Sequence, residues 1–104
     1  MVFARNPNKQ KELAVPPSVT ADVTAVEIAR IWASNGKQVV TLRPELWEDP
    51  AAWGLMLVDF AKHVANAYEQ LGNGSKEEVL KRIKWGFDVE WNKPTTEPKG
   101  EVQG

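Results

Sequence analysis

The chain contains no cysteine and a single histidine, His63. Without thiols there is no disulfide, no thiolate zinc site and no cysteine nucleophile, so folding has to rest on packing. Neither sign of charge is in excess. Thirteen basic against 14 acidic side chains leave a formal net charge of −1, too weak a field to hold a polyanion or an anionic membrane. Nucleic acid is therefore a disfavoured partner. Long apolar runs are also missing: nothing approaches the ~20 residues that span a bilayer, and the opening MVFARNPNKQKELAVPP lacks the apolar stretch of a secretory signal. These absences lead to the expectation of a cytoplasmic protein with no membrane attachment.

What is present suits one packed domain. The 104 residues fit a single hydrophobic core, and a 42% apolar content with five Trp, three Phe and one Tyr can fill it. Residues 1–11 and 94–104 are polar, broken by Asn6-Pro7-Asn8 at one end and by Pro94, Pro98 and Gly100 at the other, and read as flexible tails around a domain at 12–93.

Within the domain, Ala25, Ile28, Ile31 and Trp32 recur at helical spacing and predict a helix from about Asp22 to Asn35, stopped by Gly36. The β-branched run from Lys37 to Arg43, ended by Pro44, predicts a strand. A strand needs a partner for its backbone groups; the candidates are residues 12–15 or the same strand of a second molecule. Asp49 and Pro50 open a long helix that ends at Gly72. On it Asp59, Lys62, His63, Asn66, Glu69 and Gln70 occupy an arc of about 120°, leaving roughly 200° of apolar surface that includes Trp53, Leu57, Phe60, Val64 and Tyr68. A third helix starts at Ser75, with Glu78 completing a capping box, and carries a core stripe of Val79, Leu80, Ile83, Phe87 and Trp91. Gly86 beside that stripe predicts close approach of a neighbouring helix.

Candidate chemistry is sparse. Asp59 and His63 lie one helical turn apart, but both fall in the polar arc beside Lys62, so a solvated pair explains them better than a metal site. Glu45, Trp47, Glu48 and Trp53 gather carboxylates and indoles between strand and long helix, a combination that could hold a small ligand or raise the pKa of a general acid. Asp49 as helix cap and the tryptophans as lids over the core explain the same residues without chemistry. Lys81, Arg82 and Lys84 surround Trp85, as single-stranded nucleic-acid sites do, although Glu77 and Glu78 stand ready as ion-pair partners four residues before Lys81 and Arg82. Trp85 and Val89 form an exposed apolar ridge suited to a subunit or partner interface. Asn73-Gly74-Ser75 matches a glycosylation acceptor and is better read as a turn and helix cap. No motif requires a cofactor or identifies an enzyme, so neither is expected.

The run RPELWEDPAAWGLMLVDFAKHVANAYE, with the preceding IWASNGKQVVTL and the later IKWGFDVEW, resembles a family of small bacterial domains of unknown function, found mainly in alphaproteobacteria. The resemblance covers about residues 12–92, and LWEDPAAWG is its most specific part. It implies a compact bacterial cytoplasmic α+β domain and assigns no activity and no site residue. Together these readings predict a mainly helical α+β fold, three helices packed beside a small antiparallel β element. They further predict a homodimeric interaction module, with Val39, Trp85 and Val89 at its interface and an unidentified protein as its other partner.

Overall fold

The computed structural model describes residues 11–93 and a short strand at residues 102–103. The elements run α1 (Pro17–Thr20), β1 (Ala29–Ser34), β2 (Lys37–Leu42), α2 (Ala51–Gln70), α3 (Lys76–Asn92) and β3 (Val102–Gln103). Three helices and a small antiparallel pair of strands make the α+β class predicted from sequence. Apart from Lys11 and the β3 residues, the expected tails lie outside the described residues.

The expected helix at 22–35 is not formed; its second half is β1. Asn35 and Gly36 both have positive φ, 53° and 73°, and connect Ser34 to Lys37 as the two-residue turn of a hairpin. Such turns need left-handed backbone at both central positions, and Asn-Gly is the dipeptide that takes it at least cost. A helix stop would need only one such residue. The hairpin prevails because β2 needs a neighbour and the shortest possible loop supplies one with little chain entropy lost. The register pairs Ala29 with Leu42, Ile31 with Val40 and Trp32 with Val39. One further rung, from the Arg43 amide to the Ile28 carbonyl at 3.0 Å, extends the ladder.

β2 is therefore paired within the chain, with β1 on one side rather than with residues 12–15. Residues 13–16 carry no regular structure, and Leu13 and Val15 are exposed. The sheet order is β1-β2-β3, with β3 parallel to β2 through Val40 opposite Val102 and Thr41 opposite Gln103. Ahead of the hairpin, Asp22 closes a tight turn: its Oδ1 accepts from the Thr24 amide at 2.9 Å and the Thr24 hydroxyl at 2.6 Å. The base of the hairpin is tied by Arg30, whose Nε donates to Glu27 Oε1 at 2.6 Å, and by Arg43, whose Nε donates to the Glu27 carbonyl at 2.8 Å.

The helical half is an antiparallel αα-hairpin. Asp49 opens α2 as expected, its Oδ1 accepting from the Ala51 amide at 2.9 Å. The helix ends in a Schellman turn: Gly72 at φ 78°, its amide bonded to the Glu69 carbonyl and the Asn73 amide to the Tyr68 carbonyl at 2.9 Å. Ser75 caps α3, its Oγ accepting from the Glu78 amide at 3.1 Å, while Glu69 Oε2 reaches across from α2 to the Lys76 amide at 2.8 Å. The connection is thus fixed from both sides. A third positive-φ glycine, Gly74, brings the chain against Val79; a Cβ there would meet Val79 Cγ2 at 3.2 Å. At Gly86 an added Cβ would meet nothing within 4 Å, so the close helix approach inferred from that residue is not made among the described residues.

Among the described residues, no Cα of the strands lies within 8 Å of a Cα of α2 or α3. Ala65 of α2 is the one fully buried hydrophobic residue among those described.

Two outcomes follow from the local chemistry. Gly36→Ala forces a side chain into φ 73° and is expected to lower stability by about 1 kcal/mol, read as a lower urea midpoint with unchanged slope. The two Thr24 hydrogen bonds hold the Asp22 carboxyl below its ordinary value of about 3.9. A depressed folded pKa gives stability that is present above the unfolded value and lost as pH falls through the folded one. NMR titration should therefore show Asp22 ionising below free aspartate, and Thr24→Val should move the midpoint back up.

Candidate interaction surface

The surface chemistry of the helix pair follows from its thinness. Two helices can bury only the stripe along which they touch, and α2 carries an apolar arc far wider than one neighbour covers. At 100° per residue, Leu57, Phe60, Val64, Tyr68 and Leu71 lie within an arc of about 80°, beside the stripe centred on Ala61 and Ala65. Phe60 is 56% exposed and Leu71 75% exposed. Tyr68, at one edge of this arc, lines an open cleft with Val79, Arg82 and Ile83 of α3, so the arc continues onto the third helix. There Arg82 lies over the Trp85 ring, 4.0 Å from its centroid, and Trp85 joins Asp88, Val89, Asn92 and Lys93 around a shallow apolar groove. Tyr68, Arg82, Trp85 and Val89 thus form one continuous strip.

Trp85 is exposed, as expected from sequence, but Phe87 and Trp91 are exposed as well. They were expected in the core stripe, of which only Val79, Leu80 and Ile83 are half-buried. The two rings stack on one another, centroids 5.5 Å apart and 20° from parallel, on the side of α3 away from Trp85. The sequence pattern marked both residues as apolar-facing; it could not show that nothing in the chain would cover them.

The basic residues around Trp85 are engaged. Lys84 Nζ binds Asp88 Oδ2 at 2.7 Å and Lys81 Nζ lies 3.6 Å from Glu77 Oε1, while Arg82 covers an indole face that a base would need for stacking. Arg82 takes Trp85 rather than the Glu78 partner that spacing suggested.

The segment between hairpin and α2 brings its indoles together but encloses no carboxylate. Trp47 meets Trp53 edge to face with centroids 4.9 Å apart, a favoured aromatic geometry that anchors the incoming chain on the first turn of α2. Glu45 and Glu48 are exposed. Asp59 and His63 are exposed on α2, and no group of three or more metal-ligating side chains occurs among the described residues. Val39 sits on the central strand with its backbone paired on one side to β1, so any interface it enters has to use its side chain, which lies across from Trp32. No helix of the described residues is long and apolar enough to cross a membrane.

No curated protein matches the chain. A solved structure does: a chain from the photosynthetic bacterium Rhodopseudomonas palustrus CGA009, described as a "putative pyruvate dehydrogenase". It is 31% identical, the match covers 89% of this chain and 95% of that one, and the TM-score is 0.68. A family model described as a domain of unknown function, DUF5076, matches residues 12–95, which takes in the hairpin, both long helices and the Trp47/Trp53 junction. By that match the chain belongs to the DUF5076 family of domains of unknown function.

Proposed function

We propose that this domain is a cytoplasmic protein-interaction module that works as a homodimer, with the strip formed by Leu57, Phe60, Tyr68, Leu71, Trp85 and Val89 as its subunit interface. The observation that carries this reading is the missing interior: Ala65 is the one fully buried hydrophobic residue among those described, while these six side chains are between 40% and 75% exposed. The largest apolar patch that a monomeric protein leaves in water is ~300–600 Å², and a patch of that size often serves an interaction. With ~150–250 Å² for each aromatic side chain and comparable areas for the aliphatic ones, the strip offers on the order of 500 Å² of apolar surface per chain. A stable interface takes ~800 Å² from each partner, somewhat over half of it apolar, so the strip is of the right size for one.

The energy has the right sign. Two such strips removed from water contribute roughly 25 kcal/mol at ~25 cal/mol per Å², which exceeds the ~4–15 kcal/mol that association costs in lost freedom. A two-fold arrangement also explains why one strip suffices, since each copy presents the same surface to the other. The neighbour's description as a pyruvate dehydrogenase suggests an enzyme, but the exposure of Glu45 and Glu48 gives acid-base catalysis no enclosed site to work in. The interaction reading rests on more of the chain.

Sedimentation equilibrium on the untagged protein is expected to give twice the chain mass at micromolar concentration. Phe60→Asp should shift it to the single-chain mass. Leu55→Asp is the matched control: it is also exposed, but lies about 140° away in the polar arc near Lys62, and should leave the dimer intact. A wild-type protein that remains single-chain would sink the proposal.

A further inference from the structure

The sequence holds two Asn-Gly pairs, Asn35-Gly36 and Asn73-Gly74, and each sits at a turn that joins two elements of the fold. Asn followed by Gly is a chemically labile link. The glycine amide nitrogen can attack the asparagine side-chain carbon Cγ, because no side chain on the glycine crowds the approach and its backbone rotates freely. All four residues are exposed, and neither glycine amide donates to a backbone carbonyl among the described residues. Both links are therefore within reach of water, and what separates them is how firmly each turn is held.

Asn73-Gly74 is held on both sides. The Asn73 amide donates to the Tyr68 carbonyl at 2.9 Å and the Gly72 amide to the Glu69 carbonyl at 3.0 Å. Just beyond, Ser75 Oγ accepts from the Glu78 amide and Glu69 Oε2 from the Lys76 amide. Gly74 itself lies against Val79, where a Cβ would meet Cγ2 at 3.2 Å. Ring closure needs the chain between asparagine and glycine to swing, and here that swing disturbs the joint between α2 and α3. Asn35-Gly36 is bare by comparison. It is the tip of a two-residue turn, a Cβ added at Gly36 would meet nothing within 4 Å, and the rung that adjoins it is the last one, Ser34 opposite Lys37. The end of a hairpin opens at low cost, so the tip reaches the reactive geometry without disturbing the rest of the sheet.

We infer that Asn35-Gly36 is a self-modification site: the tip of the hairpin deamidates spontaneously in the folded chain, ahead of Asn73-Gly74. The Gly36 nitrogen, its proton taken by hydroxide, bonds to Asn35 Cγ. The Cγ–Nδ2 bond then breaks, and ammonia leaves with a proton drawn from water, which returns the hydroxide. The cyclic imide left behind adds one water, and the ring opens at either carbonyl; nothing is oxidised or reduced. Opening at Cγ leaves an aspartate. Opening at the main-chain carbonyl leaves an isoaspartate, whose main chain runs through Cβ and Cγ and is one carbon longer. Either product adds one negative charge to the formal −1 of the chain. The two differ in what the turn can bear. An aspartate before Gly36 still suits a turn with left-handed backbone at both positions, whereas the extra carbon breaks the two-residue geometry that pairs Ser34 with Lys37. Deamidation thus marks the hairpin in the first form and loosens it in the second. The inference stands apart from the homodimer reading.

Peptide mapping by mass spectrometry tests the site. The full chain would be incubated folded, and in parallel in urea, at mildly alkaline pH, and the exchange of NH for O followed at positions 35 and 73. In urea both links are equally open and are expected to deamidate at similar rates, which calibrates the chemistry. In the folded chain position 35 is expected to lead position 73 by roughly tenfold, the order that one or two additional hydrogen bonds to be broken make in the open population. Equal rates, a faster position 73, or no change at 35 while the unfolded chain reacts at both would overturn the inference. Electron-transfer fragmentation and methylation by an isoaspartate-specific methyltransferase separate the two products. The isoaspartate form is expected to unfold at a lower urea midpoint than the natural chain, while Asn35→Asp keeps the natural midpoint. An unchanged midpoint in the isoaspartate form would sink the loosening. Gly36→Ala crowds the attacking nitrogen and should slow the reaction at 35 in urea, a readout that does not require the variant to fold.

Discussion

Apolar area has to leave water for a chain to hold one structure, and in this protein, among the described residues, no Cα of the strands comes within 8 Å of a Cα of the two long helices. The αα-hairpin buries only the narrow stripe around Ala65, and the β-hairpin buries neither face fully. Everything else about the molecule is arranged around that constraint. Local structure is secured by polar devices, the Asp49 and Ser75 caps, the Schellman turn at Gly72, and the Glu69 reach to Lys76, each worth about 1 kcal/mol. Such devices define the elements and their joints. They do not supply the tens of kcal/mol that apolar burial contributes to a domain of this size.

The Trp47 and Trp53 pair takes on a particular meaning in that setting. An edge-to-face pair at 4.9 Å is a modest interaction, about 0.5–1.5 kcal/mol beyond its buried area, but it sits at the pivot between the two layers. It anchors the incoming chain on the first turn of α2. The run LWEDPAAWG contains this joint.

Much of this was legible in the sequence. The bounds of α2 and α3, their caps, the strand at 37–42 and the α+β class follow from periodicity and end signals that act locally, within a turn or two. The failure at 22–35 has the same physical root as the successes. Ile28, Ile31 and Trp32 fit a helical stripe, but Ile31 and Trp32 equally fit a strand. The deciding information lay in Asn35-Gly36, which closes a hairpin only because β2 follows immediately and needs a partner. The candidate surface was half legible: Trp85 and Val89 stood out as apolar residues off the core stripe, whereas Phe87 and Trp91 sat on it and gave no sign of exposure. No periodicity can report whether the layer meant to cover a stripe lies in the same chain.

That distinction separates two kinds of apolar surface in a small domain. A ridge off the stripe, such as Trp85 and Val89, is extra: the fold would close without it, and its exposure points to something that binds. A stripe left uncovered, such as Phe87 with Trp91 on one side and Leu57 with Phe60 on the other, is a deficit: the fold does not close until another layer arrives. This chain carries both, and the deficit is the larger. A partner that merely visited would leave this surface exposed to aggregation in the intervals. On the homodimer proposal the cover is a second copy of the chain, present at the chain's own concentration without any other protein being involved.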